Sequence, residues 1–99
     1  MRTNYLIAVD EFCTLQNIEL SFINSLHEAG LIEIITKRKK RYIDFRQTLQ
    51  LEKFIRFHYD FEINLEGIET ISHLLERIIA MQDRITALKN KLRLYETND

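Results

Sequence analysis

Ninety-nine residues, 45% hydrophobic and 29% charged, compose one ordinary globular domain rather than a disordered or fibrous chain, and a chain this short supports a single modest core. One cysteine, two glycines and no proline exclude a disulfide framework, a cysteine zinc site and a glycine-rich phosphate cradle. The net charge of −1 hides a segregated pattern: Lys37, Arg38, Lys39, Lys40 and Arg41 form an unbroken basic run, whereas Asp60, Glu62, Glu66 and Glu69 form an acidic stretch with no base between them.

Tyr5 to Ala8 is a short apolar run, after which Asp10 and Glu11 suit the positive end of a first helix closing near Gln16 and Asn17. Leu20, Ile23, Leu26 and Ala29 recur at three-residue steps and predict a second helix, with Gly30 as its left-handed stop. Two short helices joined by a tight turn read as a helix-turn-helix. Leu31 to Thr36 and Tyr42 to Phe45 then predict a two-stranded hairpin, a wing with the basic run at its tip. Leu51, Phe54, Ile55 and His58 or Tyr59 suit a third helix over 48–59. Residues 60–64 connect it to a long helix from Leu65 to about Tyr95, with Asn64 as N-cap. The predicted fold class is mainly α: a winged helix-turn-helix head over 1–63 and a long C-terminal coiled-coil helix over 64–99, forming one structural unit.

The long helix carries the clearest pattern. Ile71, Ile78, Ile85 and Leu92 occupy heptad position a, and Leu74, Met81, Leu88 and Tyr95 occupy d. Burying each such side chain is worth about 1.5 to 3 kcal/mol, so the seam predicts a homodimer or a partner helix. Arg77, Arg84 and Lys91 at g and Leu75, Gln82, Lys89 and Glu96 at e add repulsions of only tenths of a kcal/mol in either chain direction. Leu75 and Ile79 widen the apolar stripe near the helix start, which suits packing on the head or on a third helix.

No arrangement of reactive groups stands out. His27, His58, His73 and Cys13 lack the spacing of a metal or nucleophile site, and each is expected in a packing or surface role. No catalytic residue, metal or cofactor is assigned. No apolar run approaches the roughly 20 residues of a bilayer span, and the opening Met1 to Phe12 lacks a signal-peptide layout, so a cytoplasmic protein is expected.

Two charged surfaces remain as candidate sites. Laid on phosphate, Lys37 to Arg41 would neutralise five charges and give a salt slope of about −4.5; the plain alternative is a solvated hairpin tip. Against nucleic acid, the second helix offers Glu19, Asn24, His27 and Glu28 and no lysine or arginine. In the acidic stretch, Glu66 and Glu69 gain from the helix macrodipole, whereas Asp60 and Glu62 precede the N-cap and suit a surface for a basic partner.

The sequential order of these segments resembles the chaperone-modulator (CbpM) family over nearly the whole chain. The resemblance rests on Asp10-Glu11-Phe12-Cys13, on Ala29-Gly30-Leu31-Ile32-Glu33, on the wing, and on Asn64-Leu65-Glu66-Gly67-Ile68-Glu69 leading into Leu74-Leu75-Glu76-Arg77-Ile78. That family is related to the mercury-resistance (MerR) type of winged helix-turn-helix regulator. The resemblance implies a non-enzymatic, dimeric adaptor that binds the J-domain of a DnaJ-like (CbpA-type) co-chaperone and restrains its action on Hsp70 (DnaK). The acidic surface expected to meet the basic helix of a J-domain is Asp60, Glu62, Glu66 and Glu69, with Phe61 or Leu65 as apolar anchor. Aligned on Gly30, Asn24, Leu26 and Glu28 stand where the DNA-binding relatives usually carry arginine, tyrosine and another base. The long helix is expected to leave no room for an effector-binding region, so ligand sensing is not expected. The alternative is a small MerR-like transcription regulator using Lys37 to Arg41 on DNA.

Overall fold

The computed structural model describes residues 5–96. Their order is β1 (Leu6–Ala8), α1 (Val9–Gln16), α2 (Leu20–Glu28), β2 (Ile35–Lys37), β3 (Lys40–Asp44), a 3-10 turn (Phe45–Gln47), α3 (Thr48–Ile55), a π-helical turn (Arg56–Asp60) and α4 (Leu65–Glu96).

The helix-turn-helix forms as the spacing predicts. Val9, Phe12 and Cys13 on α1 and Phe22, Ile23 and Leu26 on α2 are buried on the faces that meet the core. Asn17 ends α1 in the left-handed region at φ 56°, and the Ile18 amide donates to the Cys13 carbonyl at 3.0 Å. Gly30, at φ 79°, ends the second helix in the same way, and the Leu31 amide donates to the Leu26 carbonyl at 2.9 Å. A Cβ at Gly30 would meet no neighbour, so glycine answers a backbone demand there and not a lack of space.

The expected two-stranded wing is one side of a three-stranded antiparallel sheet in the order β1-β3-β2, with Ile7 opposite Ile43 and Ile35 opposite Tyr42. β1 is three residues long, too short for alternation to distinguish it from any other apolar run, and its partner lies some 36 positions away. Past the short β2, Gln47 brackets the backbone of Glu33, accepting from its N–H and donating to its C=O at 2.8 Å each. Asp44 accepts from the Arg46 amide at 2.8 Å and pairs with its guanidinium at 2.9 Å, and these bonds hold its carboxyl below the usual range.

Five side chains with no exposed surface come from four elements: Ile23 and Leu26 on α2, Ile43 on β3, Leu51 on α3 and Ile68 in the first turn of α4. Between the last two, the helical path changes. The third helix continues to residue 60, one residue past its expected end, but its last turn widens to the π form, and the Phe61 amide donates to the Arg56 carbonyl, five residues back, at 3.2 Å. The extra residue per turn alters the facing that a 3.6 period assigns, and both Phe57 and Ile63 pack on the core.

Asn64 caps α4 as expected, its side chain accepting from the Gly67 amide at 2.8 Å. The helix runs for 32 residues, about 48 Å at 1.5 Å per residue. Two compact units divide within it: the head includes its first turn through Glu69, and the remaining turns from Thr70 form the second.

Gly67 gives a sharp test of this junction. On an exposed helix, glycine to alanine gains about 1 kcal/mol, but here a Cβ would come within 2.6 Å of Ile63 Cγ2 and 3.1 Å of Asn64 Oδ1. Ile63 is branched and packed, so it yields little. Gly67→Ala is therefore expected to lower stability by about 1–3 kcal/mol, read as a lower thermal midpoint; a rise would show the junction to be loosely packed.

Candidate interaction surfaces

The acidic connector is held from both sides. His58 lies parallel to Phe22 with ring centroids 4.6 Å apart, and Tyr59 meets Phe22 edge-on at 5.6 Å. The Tyr59 hydroxyl accepts from the backbone N–H of Glu19 at 3.1 Å, satisfying an amide at the start of α2 that has no side-chain cap. His58 Nδ1–H donates to the Ile63 carbonyl at 3.1 Å, and the Ile63 amide donates to the Phe57 carbonyl at 2.9 Å. Glu62 reverses the chain at φ 57°.

Asp60, Phe61 and Glu62 stand on this pinned turn, exposed, with Phe61 63% accessible. A phenylalanine so displayed between two carboxylates combines an apolar anchor with a charged rim. Glu66 is exposed in the first turn of α4 and Glu69 is half-buried. Of the two apolar candidates, Leu65 is half-buried and packs on the core, and Phe61 is the one presented outward.

The basic run occupies the end of the hairpin as expected, with Arg41 just beyond the last pair. Lys37 ends β2 opposite Lys40, Arg41 lies in β3, and only Arg38 and Lys39 form the two-residue turn. Both turn residues have positive φ, 51° and 66°, the requirement that asparagine and glycine ordinarily meet in such hairpins. Lys37 to Lys40 are exposed; Arg41 is half-buried, and its Nη1–H donates to Asn24 Oδ1 on α2 at 2.9 Å. Lys39, Lys40 and Arg41 line a depression of about 290 Å³ with Ala8, Val9 and Asp10, so a carboxylate sits among the bases.

The bond from Arg41 engages Asn24, the one amide on α2 suited to reading a base edge. Leu26 is wholly buried, while Glu19, Ser21, His27 and Glu28 are exposed. The outward face of the second helix is thus polar to acidic. His27 Nδ1 lies 3.4 Å from the Ile32 carbonyl, and His73 is exposed. Cys13 is buried, and burial, then the nearby Asp10 charge, raise its thiol pKa against a smaller lowering by Arg41, leaving little thiolate for chemistry. Among the described residues no three of His, Cys, Asp and Glu gather as a metal site, and no helix is long and apolar enough to cross a membrane.

On α4 the seam side chains Leu74, Ile78, Met81, Ile85, Leu88, Leu92 and Tyr95 are 49% to 73% exposed, and Ile71 is half-buried. Two tertiary links have no local signal in the sequence: Arg41 with Asn24, 17 positions apart, and Tyr59 with Glu19, 40 apart.

Compared with known proteins, the chain matches a family model described as "MerR HTH family regulatory protein" over residues 7–90, which takes in the head and most of α4. No curated protein and no solved structure matches.

The wing turn is strained, since a non-glycine residue in the left-handed region costs about 1–2 kcal/mol. Replacing Arg38-Lys39 by Asn-Gly is expected to raise stability by about 1 kcal/mol, measured by denaturant titration. A loss of stability would show that the two long side chains make contacts worth more than the strain.

Proposed function

The chain belongs to the MerR helix-turn-helix family of regulatory proteins, and we propose that it works as a non-enzymatic adaptor whose acidic connector binds the basic helix of a J-domain co-chaperone, of the DnaJ or CbpA type, and so restrains its action on Hsp70. The observation that carries this reading is the exposed Asp60-Phe61-Glu62 segment on a turn pinned by His58 and Tyr59. A rigid, pre-formed anchor loses little entropy on binding. The reading is supported also by the segments that resemble the chaperone modulators and by the acidic outer face of α2, which suits phosphate poorly.

The second reading, a DNA-binding regulator, has its own support in the family match and in the exposed Lys37 to Lys40. The two differ in the face they use. The adaptor depends on the connector acids and tolerates alanine at the wing bases; the DNA binder depends on the wing, with a steep salt dependence. In both, α4 pairs with α4 of a second copy through the heptad seam, burying the apolar row that a single chain leaves open.

Binding of the whole chain to a purified J-domain, alongside a DNA shift at two salt concentrations, separates the readings. Asp60→Lys with Glu62→Lys is expected to weaken J-domain binding at least tenfold, about 1.4 kcal/mol or more, with the circular dichroism unchanged, while alanine across Lys37 to Arg41 leaves it intact. Unchanged affinity in the first variant sinks the connector assignment. A sequence-dependent DNA complex without J-domain binding overturns the adaptor in favour of the regulator.

Dimerisation has a separate check. Ile78→Asp with Ile85→Asp places two carboxylates in the seam and is expected to give monomer or unfolded chain by light scattering, because desolvating an unpaired carboxylate costs several kcal/mol. A stable dimer of this variant would contradict the seam.

A further inference from the structure

The hydroxyl of Tyr59 reaches from the connector to the start of α2 and brings a third carboxylate to the acidic turn. Glu19 stands at the N-cap position of α2, where its backbone N–H donates to Tyr59 Oη at 3.1 Å, 40 positions away in the chain. Its side chain does not cap the helix; Oε1 accepts from Ser21 Oγ at 3.3 Å, and the residue is exposed. Asp60 follows Tyr59 directly, so one acid adjoins the backbone end of this tyrosine and the other its hydroxyl end. Leu20 and Tyr59 are each 40% exposed and add apolar surface to the acids. Arg56, whose carbonyl accepts from the Phe61 amide, is the exposed base of the same turn, outnumbered by Glu19, Asp60 and Glu62.

We propose that Glu19 is a specificity-determining residue of the partner site, positioned there by Tyr59, so that the basic helix taken by the connector is held from two elements at once. This role, which rests on the adaptor reading, adds to the connector a residue from the helix-turn-helix. Three consecutive residues offer charge at one point along a partner helix, whereas carboxylates at both ends of a tyrosine side chain meet bases on different turns of it. The hydroxyl of Tyr59 is the positioning group: without it the Glu19 amide loses its partner and the start of α2 is no longer tied to the connector. If Glu19 served only the macrodipole at the start of α2, its loss would change stability and leave binding untouched.

The test is titration of a purified J-domain with the full chain at two salt concentrations. Glu19→Lys is expected to weaken binding about fivefold, and Glu19→Gln, which disturbs the helix least, about twofold. Both are expected to show a shallower salt dependence and unchanged circular dichroism. Glu28→Lys is the control: it makes the same charge change at the other end of α2, about 13 Å along the helix and beyond the screening length of about 8 Å, and is expected to bind as the parent does. Tyr59→Phe keeps the ring against Phe22 and removes the hydroxyl; in that background Glu19→Lys is expected to cost less than in the parent, the non-additivity of a positioned pair. Equal losses for Glu19→Lys and Glu28→Lys, or parent affinity in both Glu19 variants, overturn the role of Glu19, and they leave the adaptor reading standing where Asp60→Lys with Glu62→Lys still loses affinity. Full additivity with Tyr59→Phe overturns the positioning by Tyr59. A parent chain that does not bind the J-domain refutes the adaptor reading and the role of Glu19 together.

Discussion

Burial of Ile68 is the constraint on which the arrangement of the head depends. This side chain sits in the first turn of a helix whose later turns are largely exposed, yet it has no accessible surface and belongs to the same core as Ile23, Ile43 and Leu51. To bring it there the chain must leave α3, reverse and start a new helix within a few residues. The π turn supplies the extra residue, Glu62 supplies the left-handed reversal, and Asn64 supplies the cap. Gly67 is the price of bringing Ile63 and Asn64 so near the new helix. Residues 60–62 are left outside this tight reversal, and so an acid, a phenylalanine and another acid are exposed on backbone that the core itself holds rigid.

How much of this is legible in the sequence depends on how local each cause is. The stops at Asn17 and Gly30, the cap at Asn64 and the long helical run of α4 rest on residues a few positions apart, and pattern reading places them. The third strand escapes such reading because Leu6 to Ala8 is defined by Tyr42 to Asp44 and not by its own period. The widening at Arg56 escapes it because a π turn has the composition of an α turn and serves the chain reversal at Glu62. Among site residues, Phe61 can be told from Leu65 only in three dimensions: both are apolar neighbours of acids, but the cap directs one onto the core and the reversal directs the other outward. The bond from Arg41 to Asn24 likewise joins a strand to a helix that no short-range rule connects.

A fold does not by itself fix a ligand, and in this head the scaffold and the surface charges are separate matters. The helix-turn-helix and its wing stand in the family's arrangement, with the second helix ended by glycine and the hairpin beside it. Charge is unevenly distributed over this scaffold. Bases are concentrated on the wing, where the strained turn holds Arg38 and Lys39 outward, while α2 presents Glu19 and Glu28. Arg41, the base nearest to α2 by its hydrogen bond, faces the asparagine of that helix and ties wing to helix instead of pointing free. A scaffold can keep such internal ties while its outward residues change, because the ties serve folding and the outward residues serve the partner.

Charge segregation explains how one small chain of nearly zero net charge can still be selective. At physiological salt, interactions between exposed charges fade over about 8 Å, so a partner helix responds to the row of charges beneath it and hardly to the total. On α4 the bases Arg77, Arg84 and Lys91 at g flank the apolar seam on one side, and the acids Glu76 and Asp83 at f face away from it, so a helix lying along the g flank is favoured when it brings acids there. The seam itself is neutral and non-directional, so hydrophobic burial there fixes that helices associate without fixing which ones. The flanking rows provide what the seam lacks, by making the wrong neighbour unfavourable rather than the right one very strong.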